Sequence, residues 1–122
     1  MTAEEQLNIA KNQLAKVQAA WFGEPDWDDL SLYGFYCLEN AVCAAATHAG
    51  ISFTRSHRGK VAVALTLTAQ YGFPDISELL VNLNDARKAS AYGDIDSPDL
   101  DAESVALAIE EYVGAVESFL AK

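Results

Sequence analysis

The chain is poor in several features that would identify particular classes of protein. It has 8 Lys and Arg residues against 18 Asp and Glu, a formal net charge of −10, and so lacks the positive surface that general nucleic-acid binding needs. No apolar run has the length of a membrane span, and the first residues lack the basic start and apolar centre of a signal peptide. We therefore expect a cytoplasmic protein that binds neither DNA nor a membrane.

Cysteine is also scarce, with two residues, Cys37 and Cys43. On one helix they would lie roughly 9 Å apart along the axis and on different faces, so they could not form a disulfide with each other. No Cys-x-x-Cys or Cys/His spacing indicates zinc, and no other spacing suggests a metal or an organic cofactor. We expect both cysteines to be small buried apolar residues.

Helical patterns account for most of what is present. With 122 residues, 51% of them hydrophobic, the chain is long enough for one globular domain over residues 1–122. Apolar residues recur at helical spacing in five segments separated by short breaks. Because helices joined by short loops pack antiparallel, we predict an all-α, up-and-down bundle of four long helices plus a shorter one.

Capping residues indicate where these helices begin. Thr2 and Glu5 fit a capping box, and Asp26 or Asp28 could cap the second helix. Asp75 is the predicted cap of the fourth helix, and the fifth is expected to begin near residue 101.

The third segment is ambiguous. Its apolar residues alternate over 61–67, as in a half-buried strand, but Val61, Ala64, Leu65 and Thr68 also form a helical face. Because no other segment offers a strand partner, we predict a helix.

The second segment, roughly 28–49, is apolar on nearly all sides, which predicts a central helix with several neighbours. Glu39 and Asn40 are exceptions, and a carboxylate in such surroundings needs a partner. The surplus apolar surface also suggests a homodimer.

The few basic residues gather in two places. Arg55, Arg58 and Lys60 surround His57, and Lys88 follows Arg87 near the end of the fourth helix. These five cationic side chains and His57 are the candidate anion-binding residues, unless they are ordinary solvated charges. His48 is expected to have a helix-end or core role.

Three stretches resemble the HEPN domain, named for nucleotide binding in higher eukaryotes and prokaryotes. They are "YCLENAVCAAATHAGI", "SHRGKV" and "LVNLNDARKASAYGD". The resemblance covers about residues 28–120 and implies an all-α bundle that is commonly homodimeric. Its most specific part is Leu-Asn, then Arg, then Ala-Tyr at the end of the fourth helix.

The resemblance also implies what to expect of catalysis. Many HEPN proteins are metal-independent ribonucleases with an Arg, four to six arbitrary residues and then a His. The Arg would stabilise the phosphorane charge and the His would move a proton. Here the positions at which that His would stand, with four to six residues between it and Arg87, hold Tyr92, Gly93 and Asp94. Tyr, with a reference pKa near 10, is a poor general base.

The end of the fourth helix is the main candidate site. Arg87 follows Leu83 by four positions, so it points partly toward the bundle and needs a partner. We predict that it joins a polar cluster, with Asp94 capping or pairing nearby. The cluster would either fix helix register, bind a nucleotide phosphate or catalyse RNA cleavage. Its members are Glu39, Asn40, Asn84, Arg87 and Tyr92.

The sequence thus indicates a non-catalytic homodimeric interaction module or a nucleotide- or RNA-sensing module, in a toxin–antitoxin or defence context. The alternative is a metal-independent ribonuclease with an altered Arg-x4-Tyr motif, in which Tyr92 or His57 replaces the missing His. A third possibility is an antitoxin or an accessory subunit paired with a nucleotidyltransferase.

Overall fold

The computed structural model describes residues 1–93 and 98–122, and within these residues the chain forms five α-helices and no β-strand. The shortest, α3, has 15 residues. The all-α bundle is therefore confirmed, and the third segment is a helix. The helices are α1 (Ala3–Trp21), α2 (Trp27–Ala49), α3 (His57–Tyr71), α4 (Ser77–Tyr92) and α5 (Ala102–Leu120).

Most helices begin where their capping residues predict. Thr2 and Glu5 form both bonds of a capping box at α1. Asp26, not Asp28, caps α2 by accepting from the Asp29 N–H at 3.2 Å. Asp101 caps α5 through the N–H of Ser104. These bonds satisfy N–H groups that have no partner inside the helix.

The start of α4 differs from the prediction. Ile76 occupies the N-cap position and supplies no side-chain bond, because its hydrocarbon side chain has no acceptor; that side chain is buried in the core instead. Asp75, the predicted cap, lies one residue earlier and accepts from the N–H and the hydroxyl of Ser77. Asp75 therefore still stabilises the first turn of α4, although it lies one residue before the N-cap position.

The central helix is α2, which packs against the other four helices. Most of its apolar residues are buried, as predicted for a central helix, and the thiols of Cys37 and Cys43 are free and buried. Burial raises the pKa of the Cys37 thiol to about 12. Because one chain already covers α2, this helix does not provide the surplus apolar surface from which a homodimer was predicted.

The connection between α2 and α3 runs back along the bundle. His57, the first residue of α3, contacts Glu39 in the middle of α2. At the other end, Tyr71 of α3 and His48 of α2 both pack edge-on against the ring of Phe119. Residues 50–56 therefore return past the last turns of α2 before α3 begins. His48 has the helix-end role expected of it.

The buried face of α3 matches the predicted one only in part, because Ala64 is buried and Val61 and Thr68 are half-buried. Val63, Ala64 and Leu67 are buried, whereas Leu65 is 47% exposed. Apolar residues surround this helix, so their spacing alone did not select a face. Lys60 lies on the same face as Ala64 and Leu67, and its contact with α2 helps to set the rotation of the helix.

Candidate functional site

A groove of about 210 Å³ lies where α2, α3 and α4 meet. Its surface is mainly apolar, and three polar side chains reach it from α3 and α4. Such a combination of an apolar surface with a few polar groups is typical of small-ligand sites. The lining residues are Phe35, His57, Arg58, Val61, Leu80, Val81 and Asn84.

Beside this groove, Glu39 of α2 is bound to two residues of the first turn of α3. Its side chain is 4% exposed, and its carboxylate lies 2.7 Å from His57 Nδ1 and 3.4 Å from Lys60 Nζ. A carboxylate so deeply buried requires cationic or hydrogen-bonding partners, and these two residues supply them.

The contact of Glu39 with His57 and Lys60 was not predicted from the sequence, although the spacing of these residues indicates it. His57 and Lys60 are three positions apart, so they lie on one face of α3. A buried acid on the preceding helix and two potential cations at this spacing together indicate an ion pair between the helices.

On the other side of the groove, Arg87 of α4 binds a neighbour on its own helix. Its Nη2 donates to Asn84 Oδ1 at 2.7 Å. The guanidinium carbon lies 5.2 Å from the ring centre of Phe35 and 5.5 Å from that of Tyr36, within cation–π range. The predicted partly buried position of Arg87 is confirmed.

Phe35 links the two sides of the groove. The His57 ring packs edge-on against it with 5.0 Å between ring centres, and Arg87 lies over it. Phe35 is itself 2% exposed, so its position is set by the core. The polar groups of α3 and α4 are thereby held around one rigid aromatic ring.

The predicted five-residue polar cluster forms only in part. Asn84 and Arg87 are together, but Glu39 is bound to α3 and not to Arg87. Asn40 is one position, or about 100°, further round α2, and therefore faces α1. There its Nδ2 donates to Gln13 Oε1 at 3.0 Å.

Tyr92 is also outside the cluster, because its side chain is 71% exposed. Five positions along an α-helix correspond to about 140° of rotation, so Arg87 and Tyr92 lie on different faces of α4. This geometry does not support a joint Arg-x4-Tyr site. The prediction that Asp94 caps or pairs nearby lies outside the described residues.

The candidate anion-binding residues lie in separate places in the structure. Arg58 lines the groove and is exposed to solvent, whereas Lys60 is bound to Glu39. Arg55 lies over the ring of Phe53, at 5.1 Å from its centre, outside the groove. Lys88 is half-buried on α4. Arg58 is therefore the cation best placed to meet a ligand in the groove.

No model of a known protein family matches the chain, and no curated protein matches it either. Among the described residues, no group of three His, Cys, Asp or Glu side chains could hold a metal ion. None of the described helices has the length and apolar character needed to cross a membrane.

Proposed function

We propose that this chain is a HEPN-like, non-catalytic module that senses a nucleotide or an RNA end in the groove between α2, α3 and α4. The observation that carries the proposal is the position of Arg58. In a chain of net charge −10, this arginine lines a groove together with an aromatic ring and two further polar side chains, His57 and Asn84.

The two kinds of lining suit the two parts of a nucleotide. Half-buried Val61 and exposed Val81 offer an apolar surface for a base, with the nearly buried Phe35 and Leu80 beneath them. Arg58 offers a cation whose several N–H groups match phosphate oxygens. The strongly acidic remainder of the protein would discourage binding along a long nucleic-acid strand.

Replacing Arg58 with alanine is the direct test. We expect the affinity for nucleoside 5′-monophosphates to fall at least about tenfold, because a charge-assisted hydrogen bond is lost. Isothermal titration calorimetry at low salt measures this affinity. Arg55→Ala is the matched control, since it removes an equal charge outside the groove and should leave the affinity within about twofold. Equal losses in both variants would show only a general charge effect.

The same proposal includes a homodimer formed through the outer face of α3. Leu65, which does not line the groove, is 47% exposed on this face. Light scattering would then give twice the 13.2 kDa mass of one chain.

The HEPN resemblance also makes a toxin–antitoxin or defence system the proposed setting, with an antitoxin or a nucleotidyltransferase as the alternative partner.

A second candidate function is metal-independent RNA cleavage, and the Glu39–His57 contact favours it. A carboxylate at 2.7 Å from Nδ1 orients the imidazole and fixes its tautomer, as a general base requires. His57 would then replace the His that the HEPN motif lacks, a role for which exposed Tyr92 is less suited.

The second candidate predicts RNA cleavage by the wild-type protein in the presence of a chelator. His57→Gln should slow this cleavage by about 10²–10⁴-fold, the usual contribution of a general acid or base. Tyr92→Phe, which removes only an exposed hydroxyl, should cleave at the wild-type rate. Gel analysis of a labelled RNA measures both. Absence of cleavage by pure wild-type protein would reject this candidate and leave the binding module.

A further inference from the structure

The polar atoms that Asn84 and Arg87 offer are determined by their contact with each other. A guanidinium has only hydrogen-bond donors, so the atom of Asn84 that faces Arg87 Nη2 at 2.7 Å must be the amide oxygen. The amide nitrogen, Nδ2, is then the atom that Asn84 can direct to a ligand in the groove. Toward a ligand in the groove, Asn84 is therefore a hydrogen-bond donor.

His57 is oriented in a similar way from the other side. The Glu39 carboxylate is an acceptor, so His57 Nδ1 carries the proton that joins them. Nε2 is left for a ligand; it is an acceptor in the neutral ring and a donor only in the imidazolium. Lys60 shares Glu39 with this ring, Arg87 shares Phe35 with it, and Arg58 is its neighbour in the chain.

Arg58 completes this set, because its guanidinium can only donate. Arg58 and Asn84 therefore present N–H donors beside an apolar surface, and the groove favours a ligand group that accepts several hydrogen bonds. A terminal phosphate monoester, with three acceptor oxygens and a charge near −2, satisfies more donors than an internal phosphodiester does.

The size of the groove limits what accompanies this phosphate. Its volume of about 210 Å³ is smaller than the roughly 300–1,000 Å³ typical of pockets for drug-sized ligands. It is suited to one nucleotide unit and not to several stacked bases.

We infer that the groove selects a single nucleotide unit ending in a phosphate monoester, and that Asn84 Nδ2 determines this specificity. Arg87 is a positioning residue that acts through Asn84 and does not touch the ligand. This inference rests on the proposed function and assigns separate roles to two residues of the same site.

Asn84→Asp tests the role of Asn84. The carboxylate keeps the shape of the side chain and can still accept from Arg87, so the melting temperature should stay close to that of the wild type. It replaces the donor that faces the ligand with a negative acceptor. We expect at least about a tenfold loss of affinity for nucleoside 5′-monophosphates and little change for the matching nucleosides.

A double-mutant cycle tests the role of Arg87. Arg87→Met keeps an unbranched stem on Phe35 and Tyr36 but removes the donor to Asn84. In the wild-type background it should weaken monophosphate binding. In the Asn84→Ala background it should have no further effect, because the residue through which it acts is gone. An equal loss in both backgrounds would show that Arg87 itself binds the ligand.

The outcomes separate this inference from the proposed function. No binding of any nucleoside monophosphate by the wild type would reject both. Binding that depends on Arg58 but is unchanged in Asn84→Asp would reject the inference alone. A 5′-phosphorylated trinucleotide distinguishes the ligand's source: affinity equal to the mononucleotide supports an RNA end, and weaker binding supports the free nucleotide.

Discussion

A variant that removes both partners of Glu39, His57→Phe with Lys60→Met, is expected to be less stable than the wild type by about 3–5 kcal/mol. The Glu39 carboxylate is 4% exposed and lies within 3.4 Å of both partners. Without them its charge would remain buried and uncompensated, which is more costly than the loss of an exposed ion pair. Urea denaturation followed by circular dichroism measures the free energy of unfolding.

The control for this variant is the triple substitution that also changes Glu39 to Met. It replaces the entire ion group with apolar side chains of similar volume, and we expect most of the lost stability to return. A triple variant no more stable than the double variant would mean that the loss comes from altered packing at His57 and Lys60. The buried charge of Glu39 would then not be the cause of the lost stability.

Replacing Gly59 with alanine is expected to lower the free energy of unfolding by about 1–3 kcal/mol. A Cβ at this position would lie 2.7 Å from the carbonyl carbon of Thr54 and closer still to its oxygen. Both are backbone atoms, so no side chain can move aside. Either the loop before α3 or the first turn of α3 must shift.

The same shift should affect the groove. The Gly59 N–H donates to the capping hydroxyl of Ser56 at 3.0 Å, and His57 and Arg58 occupy the same turn. We therefore expect Gly59→Ala also to weaken nucleotide binding, measured by the titration used for Arg58→Ala.

Gly114→Ala is the matched control for Gly59→Ala. Gly114 lies inside α5, and apart from its chain neighbours and the backbone of its own helix no atom of the described residues is within 4 Å of the position its Cβ would take. Alanine should stabilise this helix by up to about 1 kcal/mol, because Gly is the weaker helix former. If both variants were equally destabilised, the close approach of Thr54 would not explain the effect.

Much of the fold could be predicted because its causes are local. The capping bonds of Thr2 and Asp101 join residues three positions apart. The apolar stripe of α5, including Val105, Ile109 and Tyr112, is buried as its spacing predicts. Such patterns are contained in a few consecutive residues and do not depend on which helix becomes a neighbour.

The candidate site was predicted less well, because its contacts join residues far apart in the chain. Arg87 was correctly expected to be partly buried and to lie near Asn84. Glu39 was correctly expected to need partners, but these are on α3 and not on α4. The groove could not be predicted for the same reason, because residues of three helices form it.

The sequence by itself determined that this chain is a bundle of helices, where most of them begin, and that a carboxylate in the apolar second helix needs a partner. Only the tertiary structure decided that His57 and Lys60 are its partners and that Arg87 binds Asn84 over Phe35. The physical reason is that burial makes a partner necessary without specifying which one. The return of residues 50–56 along α2 places the first turn of α3 beside Glu39 and thereby settles the choice.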